Sequence, residues 1–189
     1  MLEGTLVGVN AGAPDQITRF AMVMAGPAGK RKKITLYASP VPIPRPPGLE
    51  TEAPGWTFGE RSPALEARVR AAWGRGLVGI AHQELVFVNA ATGQINQGSH
   101  TLKAAQEAHA ARFNEAACPI AETISLGDRV WVRSTCSGVY RGNVGKKGAR
   151  VTIHLLDALV FEGGQLASLT SYANPSIVAK QLNLKTSEH

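Results

Sequence analysis

Six of the chain's eleven prolines fall between Ser39 and Gly55, at positions 40, 42, 44, 46, 47 and 54. Proline fixes its own φ and removes a backbone donor, so a run this dense favours an extended chain that joins no hydrogen-bonded ladder. The segment 39–61 therefore reads as a strap. It separates an N-terminal piece, residues 1–38, from a main domain spanning 62–182 and a short tail, 183–189. At 189 residues the chain is long enough for one substantial core and short of two average domains.

In the N-terminal piece, Gly4 to Val9, Gln16 to Ala25 and Lys33 to Ala38 are short runs rich in Val, Ile, Thr, Phe and Tyr, separated by Gly, Pro and Asp. They predict a small β-meander. Its large apolar residues are too few to offset the ordering entropy of three strands alone, so the meander is expected to pack on the main domain.

The main domain opens with helix signals. Ser62 suits a cap, Pro63 suits the first helical position, and Leu65, Val69, Ala72 and Trp73 recur at helical spacing until Gly74 and Gly76 stop them. Leu77, Ile80 and Ala81 suggest a short helical turn before a strand over Leu85–Asn89. Ser99 is expected to cap a second helix whose stripe is Leu102, Ala105, His109 and Phe113. Strands then follow over 120–124, 129–137, 150–161 and 165–174. Helices first and a long antiparallel meander afterwards imply an α+β fold, a curved sheet wrapped around the helices.

Composition narrows the function classes. Hydrophobic residues make up 44% and charged residues 18%, the balance of a globular chain rather than a disordered one. No apolar run approaches the roughly 20 residues that span a bilayer, and Glu3 and Asp15 interrupt the stretch where a secretion signal would lie, so the expected address is cytoplasmic, with no membrane partner. The net charge of +6 gathers partly in Lys30-Arg31-Lys32-Lys33 after a turn-like Gly-Pro-Ala-Gly, which solvates a loop; without interleaved aromatics it does not predict a nucleic-acid surface. Cys118 and Cys136 lie 18 positions apart with neither a CxxC pair nor His partners at metal spacing. Both are expected to be reduced, with no metal.

The order of elements and four local strings resemble the nuclear transport factor 2-like, or SnoaL-like, superfamily, which includes ketosteroid isomerase, limonene epoxide hydrolase and polyketide cyclases. The strings are Ala71-Ala72-Trp73-Gly74-Arg75-Gly76; Gly127-Asp128-Arg129-Val130-Trp131-Val132; the run 150–161 with Gly163-Gly164-Gln165-Leu166; and Ser171-Tyr172-Ala173-Asn174-Pro175. The resemblance implies a cone that encloses a small, largely apolar molecule without a cofactor, and commonly a homodimer formed through the outer sheet face near Thr152 and His154. It also implies a small-molecule enzyme of isomerase, cyclase, hydratase or epoxide hydrolase type, or a binding module of the same shape.

Laid on the isomerase pattern, the general base corresponds to Asn89, the oxyanion-hole Tyr to Arg68 and the oxyanion-hole acid to Asp157, so one of the three residue types is kept. An amide cannot take a proton at neutral pH. Laid on the epoxide hydrolase pattern, Tyr-x-Asn resembles Phe87-x-Asn89, while Ser134, Cys136 and Ser171 stand where that enzyme has Arg and two Asp. Strand alternation puts Leu85 and Phe87, Ser134, Ile153 and Leu155, and Ala167 and Leu169 on the faces of these residues, an aliphatic lining with a few polar points. Asp157 and Asn89 are the candidate catalytic pair. Asn89 reads equally as a turn residue, and Asp157 also as a partner for Arg133. Tyr172 is expected at the pocket rim or in a dimer contact.

Overall fold

The computed structural model describes residues 60–184 and, ahead of them, the backbone of four strands: β1 (Leu2–Asn10), β2 (Ala13–Ala25), β3 (Lys33–Ala38) and β4 (Ile43–Pro44). Strand β2 pairs antiparallel with β1, β3 and β4. The proline strap is thus not wholly free of ladder, because Ile43 and Pro44 stand opposite Ile17 and Gln16. An edge strand tolerates proline, whose missing N–H faces away from the partner. Residues 39–42 and 45–59 of the strap, the Gly26–Gly29 turn, residues 30–32 and residues 185–189 lie outside the described residues.

Helix α1 (Pro63–Trp73) begins as its sequence dictates, with Ser62 Oγ accepting from Leu65 N at 3.4 Å and Gly74 closing the far end. Its first turn is anchored by a buried carboxylate. Glu66 accepts from Arg61 at 2.8 and 2.9 Å, from Ser125 N at 3.0 Å and from Ser125 Oγ at 2.9 Å. The Arg61 guanidinium, followed by the Ser125 donors, outweighs desolvation and holds Glu66 down at about 2.

A short 3-10 turn, Leu77–Ile80, leads directly into β5 (Ala81–Asn89), which starts four residues before the expected strand. A hairpin then adds β6 (Gln94–Gln97), too polar for its alternation to show. Helix α2 (Ser99–Ala111) is capped by Gly98 rather than Ser99, since the cap residue sits at φ 93° and a Cβ there would fall 2.5 Å from the His100 ring. Strands β7 (Phe113–Ala117), β8 (Ile120–Leu126), β9 (Arg129–Tyr140), β10 (Arg150–Glu162) and β11 (Gln165–Ala173) follow, and α3 (Pro175–Gln181) ends the described chain with Asn174 as its cap.

The strand order is β6-β5-β11-β10-β9-β7, with β8 also paired to β9. The sheet is mixed, because β5 runs parallel to β11 while the other pairs are antiparallel. Val69 of α1, Leu77 and Leu102 of α2 pack on Leu85, Val130, Val132, Leu159, Phe161, Leu166 and Leu169, which defines the concave face. Each such aliphatic chain contributes roughly 1.5–3 kcal/mol by leaving water. A register shift between Val160 and Phe161 sets Phe161 opposite Leu166, so Leu166 enters the core in place of the expected Ala167. On the opposite face Trp131, Leu156, Ala158 and Tyr172 form a second buried cluster with Ala90.

The expectation of two reduced thiols is overturned, for Cys118 and Cys136 are joined at an S–S distance of 2.10 Å. Cys118 lies between β7 and β8, and both strands pair with β9, which brings it beside Cys136. Sequence separation alone does not reveal a contact made by strand pairing.

Candidate functional site

One row of residues crosses the concave face at mid-sheet. Val132 on β9 pairs with Asp157 on β10, Asp157 with Ser171 on β11, and Ser171 with Asn89 on β5. Residues in register project to one side, and the members of the next row, Leu159, Leu169 and Phe87, belong to the core under α1 and α2. The row therefore faces the helices.

Asp157 is 5% exposed. Burial raises its pKa to about 6, and the hydrogen bond with Ser171 offsets only part of that rise. Glu66 provides the contrast within the same molecule, a carboxyl with Arg61 beside it that stays ionised. Arg133 is paired instead with Glu122 at 3.0 Å. Asn89 combines its two readings: it belongs to the row, and its Oδ1 accepts from Ala91 N at 3.0 Å to close the β5–β6 turn.

One step along the face, Ser134 stands opposite Leu155, and one step further Cys136 stands opposite Ile153. Ser134 is fully buried, and its Oγ has no hydrogen-bond partner. An orphaned buried hydroxyl carries a desolvation cost that a polar ligand atom or a water relieves.

The remaining candidates are dispersed. Leu85 and Leu169 are core residues, and Phe87 packs against that core half-buried. Tyr172 lies on the outer face with Trp131. Arg68 is exposed at the β10–β11 hairpin, where it donates to the Gly164 carbonyl and lies 5.9 Å from the centre of the Phe161 ring. The structure thus brings Asp157, Ser171, Asn89, Ser134 and Cys136 together on one face and leaves Arg68 and Tyr172 apart from them.

Sequence reasoning missed Glu66 and the surroundings of His109. Glu66 gave no signal beyond its place in a first helical turn. His109 did lie on the α2 stripe; its ring packs on Phe113 at 5.1 Å, and burial, then the Arg112 charge, lowers its pKa. Among the described residues no helix is long and apolar enough to cross a membrane.

Among the described residues a curved, unclosed mixed sheet and three helices make an α+β cone, and solved structures of NTF2-like and SnoaL-like proteins share that fold. A SnoaL-like polyketide cyclase, so described, from Jannaschia sp. CCS1 superposes with a TM-score of 0.57 at 15% identity, over 67% of this chain and 99% of that one. A protein of ketosteroid isomerase-like fold from Catenulispora acidiphila, crystallised with trimethylamine, gives 0.54 at 19% identity over 66% and 95%. AclR, described as a hydroxylase from Streptomyces galilaeus, gives 0.53 at 23% over 64% and 93%. The likeness is one of fold. No family model and no curated protein matches the sequence.

Proposed function

We propose that the protein is a small-molecule enzyme of SnoaL-like type that acts on a small, largely apolar ligand bearing a carbonyl or related oxygen. The observation that carries this reading is Asp157, a buried carboxyl on the concave face whose pKa lies near 6. In its protonated form the carboxyl donates a hydrogen bond to the ligand oxygen and stabilises negative charge as it develops there. The same logic operates in ketosteroid isomerase.

In this reading Ser171, opposite Asp157 in the ladder, and the Asn89 amide orient the ligand, and the unpartnered Ser134 hydroxyl supports a further polar contact. The row contains an acid but no carboxylate base, since Asn89 stands where the isomerase pattern has one. Reactions whose proton leaves an already acidic carbon, as in cyclisation of a polyketone, suit such a site better than abstraction from an unactivated one. The resemblance to a SnoaL-like polyketide cyclase fold agrees with that preference.

A second reading, a ligand-binding module without turnover, is favoured by one observation: the Asn89 carbonyl oxygen is already engaged by Ala91 N. The two separate in one experiment. Native mass spectrometry and turnover assays with a panel of apolar polyketones and cyclic ketones should show binding and conversion by the wild type, and loss of conversion in Asp157→Asn. Binding without conversion by the wild type selects the module. No binding to any concave-face variant or wild type removes both.

A further inference from the structure

The Cys118–Cys136 pair has a third companion that sequence spacing hid. The side-chain donor atoms of His109, Cys118 and Cys136 all lie within 4.8 Å of one another. They come from three separate elements: the end of α2, the β7–β8 junction and the concave side of β9. From this geometry we propose that, once the disulfide is reduced, Cys118, Cys136 and His109 form a three-ligand site for Zn2+.

The donor chemistry fits the ion. Two thiolates and one imidazole suit Zn2+, which takes tetrahedral N and S ligands at about 2.0–2.3 Å, so donors around it stand about 3.5–3.8 Å apart. Opening the S–S bond frees both cysteine side chains to turn toward that spacing, which lies inside the 4.8 Å that already contains the three donors. Three protein ligands leave a fourth position for water or another ligand, the arrangement of open zinc sites.

The frame is already fixed. Trp73 Nε1 donates to the Cys118 carbonyl at 2.9 Å, and Thr135 N to the Pro119 carbonyl at 3.3 Å. His109 packs on Phe113, and Phe113 lies close over Gly138, where a Cβ would come within 3.0 Å of it. Cys136 is buried while His109 and Cys118 are half-buried, which gives an ion a path in. Cys136 lies four residues along β9 from Val132, the residue opposite Asp157, so the site sits about 13 Å from the acid row on the same face. It stands independently of the function proposed above.

The two states exclude each other and the chemistry balances. A dithiol reductant supplies two electrons and two protons; the Cys118–Cys136 bond breaks into two thiols while the reductant closes its own disulfide. Zn2+ then displaces one proton from each thiol.

The test uses the full chain, reduced with a phosphine, desalted without air, and titrated with Zn2+ or Co2+ alone. The expected result is one ion per chain, with Co2+ giving thiolate charge-transfer absorption and tetrahedral visible bands. The oxidised protein should bind at least tenfold more weakly. His109→Gln keeps the disulfide and serves where cysteine variants fail to fold; it should weaken binding by about 10-fold or more and shift the visible bands, with the circular dichroism of the oxidised protein unchanged. Alkylating both thiols should abolish binding. A reduced protein with two titratable thiols that takes up no stoichiometric ion overturns the proposal, as does unchanged binding in His109→Gln or equal binding by the oxidised form.

Discussion

Asp157 stands directly opposite Ser171 in the β10–β11 ladder and is hydrogen-bonded to it, yet burial still raises its pKa to about 6. A hydroxyl donor partly compensates a buried charge; a guanidinium does far more, as Arg61 does for Glu66. The molecule therefore holds one buried carboxyl that takes up a proton just below neutral pH and another fixed as an ion.

For Asp157 this fixes a pH dependence. The folded state binds the proton more tightly than the unfolded chain, so the stabilisation is complete below the ordinary value of 3.8 and is lost as pH rises through about 6. The full difference is on the order of 3 kcal/mol. Denaturant unfolding at pH 5 and pH 8 should show the wild type losing about 1 kcal/mol or more between them, and Asp157→Asn losing clearly less. Equal slopes in the two proteins would mean that Asp157 ionises as an ordinary surface carboxylate.

Glu66 carries the opposite sign. Its lowered pKa contributes stability above the ordinary 4.5, and that contribution is lost as pH falls through about 2. Glu66→Gln keeps the shape but weakens the Arg61 and Ser125 contacts, and should cost about 1–3 kcal/mol. Calorimetry at pH 7 should register a melting point several degrees lower; an unchanged melt would leave the anchoring role unsupported.

Reduction of Cys118–Cys136 reopens a loop of sequence separation 18, a change worth about 3 kcal/mol in the chain-entropy account. In the absence of metal ions, reduced protein should melt several degrees below oxidised protein. Zn2+ should restore part of the difference to the reduced form.

The expected homodimer rested on an uncovered outer face. In the structure the centre of that face, Trp131, Leu156, Ala158 and Tyr172, is already buried, and β3 runs beside β11. The N-terminal meander is accordingly proposed to pack there. Deleting residues 1–59 should expose this cluster and give a protein that melts lower and self-associates in light scattering. A truncated chain that stays monomeric with an unaltered melt would make the meander an independent appendage.

Much of the cone was legible because its signals are local. Ser62, Pro63 and Gly74 mark both ends of α1, and the alternation in β9 and β10 shows which residues share Asp157's face. What failed was non-local or silent. The Leu166 shift is one added residue in an unremarkable strand. The polar β6 and the short α3 lack an apolar period, although Asn174-Pro175 carried the start signal of α3. At the site, Arg68 was placed by analogy, and its actual partner, the Gly164 carbonyl, belongs to a turn that carries no side-chain pattern. His109 and the two cysteines meet only through tertiary folding.

The parallel pairing of β5 with β11 governs when the acid row exists at all. Ser171, the neighbour of Asn89 in the sheet, emerges from the ribosome more than eighty residues after it. Until then β5 has only β6 beside it. A ribosome-bound chain that stops at the β10–β11 hairpin would hold Asp157 with no Ser171 and an open sheet edge, so assembly of the site is coupled to closure of a loop of more than eighty residues, the slow kind of contact. The concave face is completed only when two segments distant in sequence meet.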